Sequence, residues 1–75
     1  MGLSQLRVRA LLSREELAKK VGVTRSTLSM WENGKSQPRM EHIRKLVEVL
    51  EVEVDTLLEA LEQDRKGAGS HVQAA

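Results

Sequence analysis

Cysteine, tyrosine and phenylalanine are absent from the 75-residue sequence, and Trp31 is its one aromatic residue. Without cysteine the chain forms no disulfide and offers no thiolate to a metal ion, as is common in reducing compartments. Its apolar runs, such as residues 10–12 and 57–58, are far too short to span a bilayer. Since no basic segment followed by an apolar core opens the chain, we expect no signal peptide, no membrane partner and a cytoplasmic location.

The features of an enzyme are missing as well. A domain this small buries only about 60% of the surface of its unfolded chain, which leaves little room for a deep substrate pocket. The sequence shows no nucleophile with a plausible base, no glycine-rich phosphate loop and no metal-binding cluster. His42 lies on a polar helix face and His71 near the C-terminus, and neither has neighbouring ligands. We predict no enzymatic activity, no cofactor, no metal and no small-molecule substrate.

Charge is distributed unevenly along the chain, although the net charge is only +1. Residues 1–45 contain ten Lys and Arg against four Glu, a balance of +6. Residues 46–75 contain two basic against seven acidic residues, a balance of −5. A basic half is a weak indication of a polyanionic partner. An ordinary solvated surface would account for the same numbers.

Apolar residues recur with a helical period through most of the chain. The pattern and its capping signals predict five helices, over about residues 4–11, 14–21, 25–32, 39–50 and 54–63. The first helix is expected to bury Leu3, Leu6, Val8 and Ala10. Alternating valine and glutamate over residues 47–54 leave a short strand as the alternative there. Residues 1–63 thus form one domain, and the polar residues 64–75 are predicted to be a disordered tail.

Residues 13–33 carry the most informative pattern. Ser13 and Glu16 have the spacing of a capping box at a helix start, and Thr24 suits the N-cap of the following helix. Gly22 accepts the left-handed conformation that ends the first of these helices. Since only residues 22–24 connect the two helices, they must cross steeply instead of packing antiparallel. Apolar residues fill the wedge between them: Leu17, Ala18, Val21, Val23, Leu28 and Trp31.

The outer face of the helix over residues 25–32 suits a DNA major groove. With Leu28 and Trp31 turned inward, this face presents short or flexible side chains that fit a groove about 12 Å wide. They are Arg25, Ser26, Ser29 and Met30.

This segment resembles the Cro/C1-type helix-turn-helix domain of phage repressors and bacterial Xre-like regulators. The resemblance covers about residues 6–61, and its most specific parts are residues 15–18 (EELA), 21–24 (VGVT), 31–35 (WENGK) and Pro38. It implies an all-α, five-helix, lambda-repressor-like fold. It also implies a transcriptional regulator that binds double-stranded DNA at a specific site, with residues 25–32 as the recognition helix.

The resemblance assigns roles to individual residues. It places Arg25, Ser26, Ser29 and Met30 at the bases, where Arg25 suits a bidentate contact to guanine and Met30 an apolar contact to a thymine methyl group. Phosphate contacts are implied for Arg14, Thr24, Thr27, Asn33, Lys35 and Arg39. It pairs Arg7 with Glu32 in a structural ion pair, with a DNA contact by Arg7 as the alternative. Trp31 belongs to the core.

Four positions depart from the pattern of that family. Leu11 and Glu51 stand where glycine is usual or frequent, and Glu53 replaces a customary Ser/Thr cap. Arg14 replaces a common glutamine, which strengthens a phosphate contact but removes an amide. These changes bring the geometry of residues 51–54 into question but leave the DNA-binding core untouched.

One such motif contacts only a few base pairs, whereas two copies related by a twofold axis read a longer, palindromic site. We therefore predict a homodimer that acts as a repressor. Its interface is expected to use apolar residues in excess of the core: Val49, Val52, Val54, Leu57, Leu58 and Leu61. The alternative is that these residues close the core of a monomer. A protein-interaction module, a restriction–modification controller and an antitoxin with the same fold are the other functions left open.

Overall fold

The computed structural model describes the backbone of residues 1–74 and the side chains of residues 1–67. Five helices follow one another along the chain: α1 (Leu3–Arg9), α2 (Arg14–Val21), α3 (Arg25–Glu32), α4 (Met40–Leu50) and α5 (Val54–Ala74). Residues 1–74 contain no strand, so the alternating residues 47–54 form the end of α4, a short turn and the start of α5. The predicted all-α, five-helix fold is confirmed.

Each helix contributes one fully buried leucine to a single core. These side chains are Leu3, Leu17, Leu28, Leu46 and Leu57, all 0% exposed. Burial of one such side chain stabilises the fold by roughly 1.5–3 kcal/mol. Trp31, from α3, is also buried and joins this cluster. The core therefore packs against the face of α3 that carries Leu28 and Trp31 and leaves the opposite face exposed to solvent.

Val8 is a correction to the predicted core. The side chain of Val8 is 58% exposed, whereas Leu6 is buried. Two residues that lie two positions apart on an α-helix point in directions about 200° apart, because each residue turns the helix by about 100°. Val8 therefore points away from the face of α1 that Leu6 presents to the core.

α5 extends beyond the helix end predicted at residue 63. At that point Asp64 packs against the start of α1, where its carboxylate accepts a hydrogen bond from Leu3 N at 2.9 Å. A side chain at Gly34 (φ +71°) would overlap the backbone carbonyl of Asp64, so the α3–α4 loop also lies against α5. Residues 64–67, which the sequence predicted to lie in a disordered tail, are therefore part of α5. The side chains of the other predicted tail residues, 68–75, lie outside the described ones.

Asp64 is partly buried by these contacts, and burial raises the pKa of its carboxyl group. The negative charge of Glu32 also raises this pKa, while the hydrogen bond from Leu3 and the N-terminal ammonium lower it.

Candidate nucleic-acid interface

The connection between α2 and α3 has the local chemistry predicted for it. At the start of α2, Ser13 Oγ accepts from Glu16 N at 3.0 Å, and a Glu16 carboxylate oxygen accepts from Ser13 N at 2.9 Å. The hydrogen bond from Ser13 N to the Glu16 carboxylate is the main cause that lowers the pKa of Glu16, and the Ser13 side chain lowers it further. At the end of α2, Gly22 is left-handed with φ +89°. The capping box and the glycine C-cap are both confirmed. They fix the two ends of α2, and the turn at Gly22 sets the direction of α3.

α3 begins at a side-chain cap and presents one face to solvent. Thr24 Oγ1 accepts a hydrogen bond from Thr27 N at 3.1 Å, so Thr24 is the N-cap that the sequence predicted. The exposed face carries Arg25, Ser26 and Met30 as exposed residues and Ser29 as a half-buried one. All four candidate base-reading residues therefore lie on the side of α3 away from the core.

One surface groove brings residues of α2 and α3 together. It is lined by Arg14 from α2 and by Arg25, Ser26 and Ser29 from α3. Two cationic side chains and two hydroxyl groups thus share one concave surface. Cations and small hydroxyl donors are the groups that protein surfaces offer to phosphate oxygens and base edges.

The other candidate phosphate-binding residues flank α3. Thr24 and Thr27 lie at its first turn, where their hydroxyl groups are 3.0 Å apart. Asn33, Lys35 and Arg39 are exposed on the segment that follows α3. Asn33 Nδ2 lies 3.4 Å from Ser29 Oγ, and Arg39 is the N-cap of α4. All of these side chains except that of Thr27, which is half-buried, are exposed to solvent.

Glu32 accepts hydrogen bonds from two arginines. Its Oε2 accepts from Arg7 Nε at 2.8 Å, which is the pair expected from the resemblance. Its Oε1 accepts from Arg14 Nε at 2.9 Å, a contact that was not predicted. The Glu32 side chain is only 2% exposed, whereas that of Arg14 is 39% exposed. Sequence reasoning missed the second pair because position 14 was read only as an outward phosphate contact.

His42 was also placed wrongly on a polar face. Its ring packs against Trp31 with the ring centroids 5.3 Å apart, and the residue is half-buried. Its Nδ1 is buried without a hydrogen-bond partner among the described residues. Trp31 is in the core, as predicted. No sequence signal links the two rings, because they lie on different helices.

The predicted dimer surface needs correction at two positions. Leu57 is 0% and Leu61 4% exposed, so both fill the core of their own chain and are not available to a partner. Their helix lies against α1, α3 and α4, which the sequence pattern alone did not establish. Val54 and Leu58 are exposed, and Val49 and Val52 are half-buried.

Comparison with known proteins identifies the family to which this architecture belongs. A helix-turn-helix family model matches residues 3–57, most of the chain. The chain belongs to this helix-turn-helix family. The resemblance to Cro/C1-type domains is thereby confirmed, and the matches support a DNA-binding transcriptional regulator.

A curated relative supports the same class. The chain is 39% identical over 56 residues to the HTH-type transcriptional activator BcrR of Enterococcus faecalis. The match covers 75% of this chain but only 28% of that relative. No solved structure matches the chain. Among the described residues, no helix is long and apolar enough to cross a membrane.

Proposed function

We propose that this regulator recognises a specific duplex DNA site by placing α3 in the major groove. The observation that carries this proposal is the groove shared by Arg14, Arg25, Ser26 and Ser29. Arg25 stands at the first position of α3, where recognition helices of this type contact base edges. A bidentate contact from its guanidinium to guanine O6 and N7 would supply roughly 1–3 kcal/mol of discrimination. Ser26, Ser29 and Met30 would contact neighbouring bases.

The flanking residues would hold the duplex in register. Phosphate contacts position a protein on DNA without reading sequence. In this proposal they are made by Arg14, Thr24, Thr27, Asn33, Lys35 and Arg39. The exposed positions of Lys35 and Arg39 after α3, and the partly exposed side chain of Arg14 before it, support contacts to the DNA backbone on both sides of α3.

A homodimer on a palindromic site is the form we propose for the DNA complex. Val54 and Leu58 are 50% and 45% exposed, and their spacing of four residues on α5 places them side by side on one helix face. With half-buried Val49 and Val52 they form the surface we assign to the second copy. Sedimentation at micromolar concentration should show twice the 8.4 kDa chain mass, and a purely monomeric species on DNA would contradict the dimer.

We propose repression as the regulatory outcome, because occupation of a promoter is sufficient to exclude another protein from it. Activation is the second candidate, since the relative BcrR is named an activator. A reporter gene under the chain's own promoter separates the two. Expression that falls when the protein is supplied supports repression, and expression that rises supports activation.

Fluorescence anisotropy with the chain's own promoter DNA and with a random DNA pool tests the proposed function. The Arg25→Ala variant should bind the promoter roughly 5- to 150-fold more weakly, while its binding to the random pool changes much less. Arg9→Ala is the matched control, because Arg9 is exposed on α1 and lines different grooves. Absence of DNA binding at about 50 mM salt would contradict the proposal and favour a protein-interaction module.

A further inference from the structure

The carboxylate of Glu32 is buried and has both oxygens occupied. Arg7 takes one oxygen and Arg14 the other. Arg7 also donates from Nη1 to the carbonyl oxygen of Leu12 at 2.9 Å, so its guanidinium is committed to the fold. Arg14 differs, because its Nε donates to Glu32 and, among the described residues, its guanidinium makes no second hydrogen bond. The three side chains together carry a net charge of +1, and the more exposed of the two cations is Arg14.

This contact leaves Arg14 prepared for a second ligand. An arginine has five N–H donors, and the one on Nε does not belong to the terminal fork formed by Nη1 and Nη2. Among the described residues, neither terminal nitrogen of Arg14 has a hydrogen-bond partner, while the side chain lines the groove with Arg25, Ser26 and Ser29. A paired terminal fork of this kind matches the geometry of a phosphate group.

We propose that Glu32 is a positioning residue for DNA binding: it holds Arg14 by Nε so that the terminal fork receives a DNA phosphate at the groove. This inference rests on the proposed DNA-binding function and deepens it. A free arginine side chain loses conformational entropy when it binds, and that loss costs affinity. Glu32 reduces this loss because Arg14 is already ordered in the unbound protein.

The Glu32→Gln variant tests this inference through the sign of its effect. Removal of a negative charge near DNA would by itself tighten binding, because the protein becomes more positive by one unit. Loss of positioning instead predicts binding to the promoter that is about two- to tenfold weaker, the range expected for one side chain that must be newly ordered. Tighter or unchanged binding by a folded Glu32→Gln variant would overturn the proposal.

A double-mutant cycle separates positioning from damage to the fold. Glu32→Gln should weaken binding in the wild-type background but not in an Arg14→Ala background, where no guanidinium is left to position. An equal loss in both backgrounds would mean that Glu32 acts only through Arg7 and the core, and would overturn the proposal. Circular dichroism melts show the temperature range in which each variant is folded, and binding is measured within the range common to all of them.

A second variant keeps the test decisive if Glu32→Gln does not fold. Arg14→Lys retains the positive charge but cannot hold Glu32 by one nitrogen and a phosphate by a fixed fork. We expect two- to tenfold weaker binding with an unchanged salt dependence, whereas Arg14→Ala should also reduce the slope of log K against log salt by about 0.9. Wild-type affinity of Arg14→Lys would overturn the proposal. If the wild-type protein itself binds no DNA, the proposed function fails first.

Discussion

Four connections between helices each contain a residue in the left-handed backbone conformation, and two pairs of them differ in the residue type placed there. The connections on either side of α3 place glycine at their left-handed positions, Gly22 (φ +89°) and Gly34 (φ +71°). The α1–α2 and α4–α5 connections place ordinary side chains there, Leu11 (φ +62°) and Glu51 (φ +54°). A non-glycine residue in this conformation costs roughly 1–2 kcal/mol. α3 is thus bounded by unstrained turns, and the strain lies in the two connections that do not adjoin it.

The strained turn at Leu11 is held by hydrogen bonds and not by burial of its own side chain. Leu11 is 89% exposed, so its side chain gains nothing from the core. Leu12 N donates to Arg7 O at 3.2 Å, and the Arg7 guanidinium donates back to Leu12 O. The ion pair of Arg7 with Glu32 therefore fixes this turn as well as α3.

The largest expected effect comes from Gly34→Ala. The new Cβ would both strain a left-handed position and overlap the backbone of α5 at Asp64. We expect a loss of about 2–4 kcal/mol in the free energy of unfolding, from strain and overpacking together. Urea denaturation followed by circular dichroism measures this loss. A loss below that of Gly22→Ala would show that α5 does not pack against the loop.

Gly22→Ala isolates the conformational cost without the overlap. A Cβ at this position has nothing within 4 Å, so only the left-handed backbone opposes it. The expected loss is about 1–2 kcal/mol in the same denaturation experiment. A neutral result would contradict the claim that the turn between α2 and α3 depends on glycine.

Leu11→Gly makes the converse change and should stabilise the protein. Relief of the left-handed strain outweighs the larger entropy of glycine in the unfolded chain, and almost no buried area is lost. We expect a gain of about 0.5–1 kcal/mol in the free energy of unfolding. If Leu11→Gly destabilises the protein instead, the exposed leucine has a contact that the monomer does not show.

Local signals in the sequence were sufficient to predict the helix-turn-helix unit. The capping box at Ser13 and the glycine at position 22 act over a few residues, so the sequence predicted α2 and α3 with their observed bounds. Contacts between distant residues were not accessible in this way. The Arg14–Glu32 pair and the packing of His42 on Trp31 depend on how helices are placed in space.

The C-terminal helix shows the same limit. Its polar residues after position 63 gave no core signal, yet Asp64 is anchored by the backbone of Leu3, 61 positions earlier. The predicted dimer role of Leu57 and Leu61 was wrong for a related reason. Apolar periodicity shows which residues share a face but not whether the same chain or another covers that face.

The smallest expected effect concerns Asp64 and pH. Because its pKa is raised in the fold, the folded chain binds this proton more tightly than the unfolded chain does. The resulting stability is present at low pH and is lost as pH rises through the range above the ordinary aspartate pKa of about 4. Glu16, with a lowered pKa, contributes in the opposite sense: its stability is present above the ordinary glutamate pKa and is lost as pH falls.

Asp64→Asn removes the first of these two contributions. Relative to wild type, the variant should gain stability as pH rises from 3 to 7, by at most about 0.5 kcal/mol, because solvent screens the partly exposed carboxylate. Thermal melts across this pH range measure the difference. A relative loss of stability with rising pH would show that ionised Asp64 stabilises the fold.

The contact of Arg25 with a guanine in the major groove is the claim on which the functional account depends. After footprinting locates the site, each protected guanine is replaced in turn by 7-deazaguanine, which removes N7 and leaves base pairing intact. At one guanine in each half-site, wild-type protein should lose about three- to tenfold in affinity, the value of one hydrogen bond, while Arg25→Ala should lose nothing further. Equal losses for both proteins, or no loss at any guanine, would contradict base recognition by Arg25.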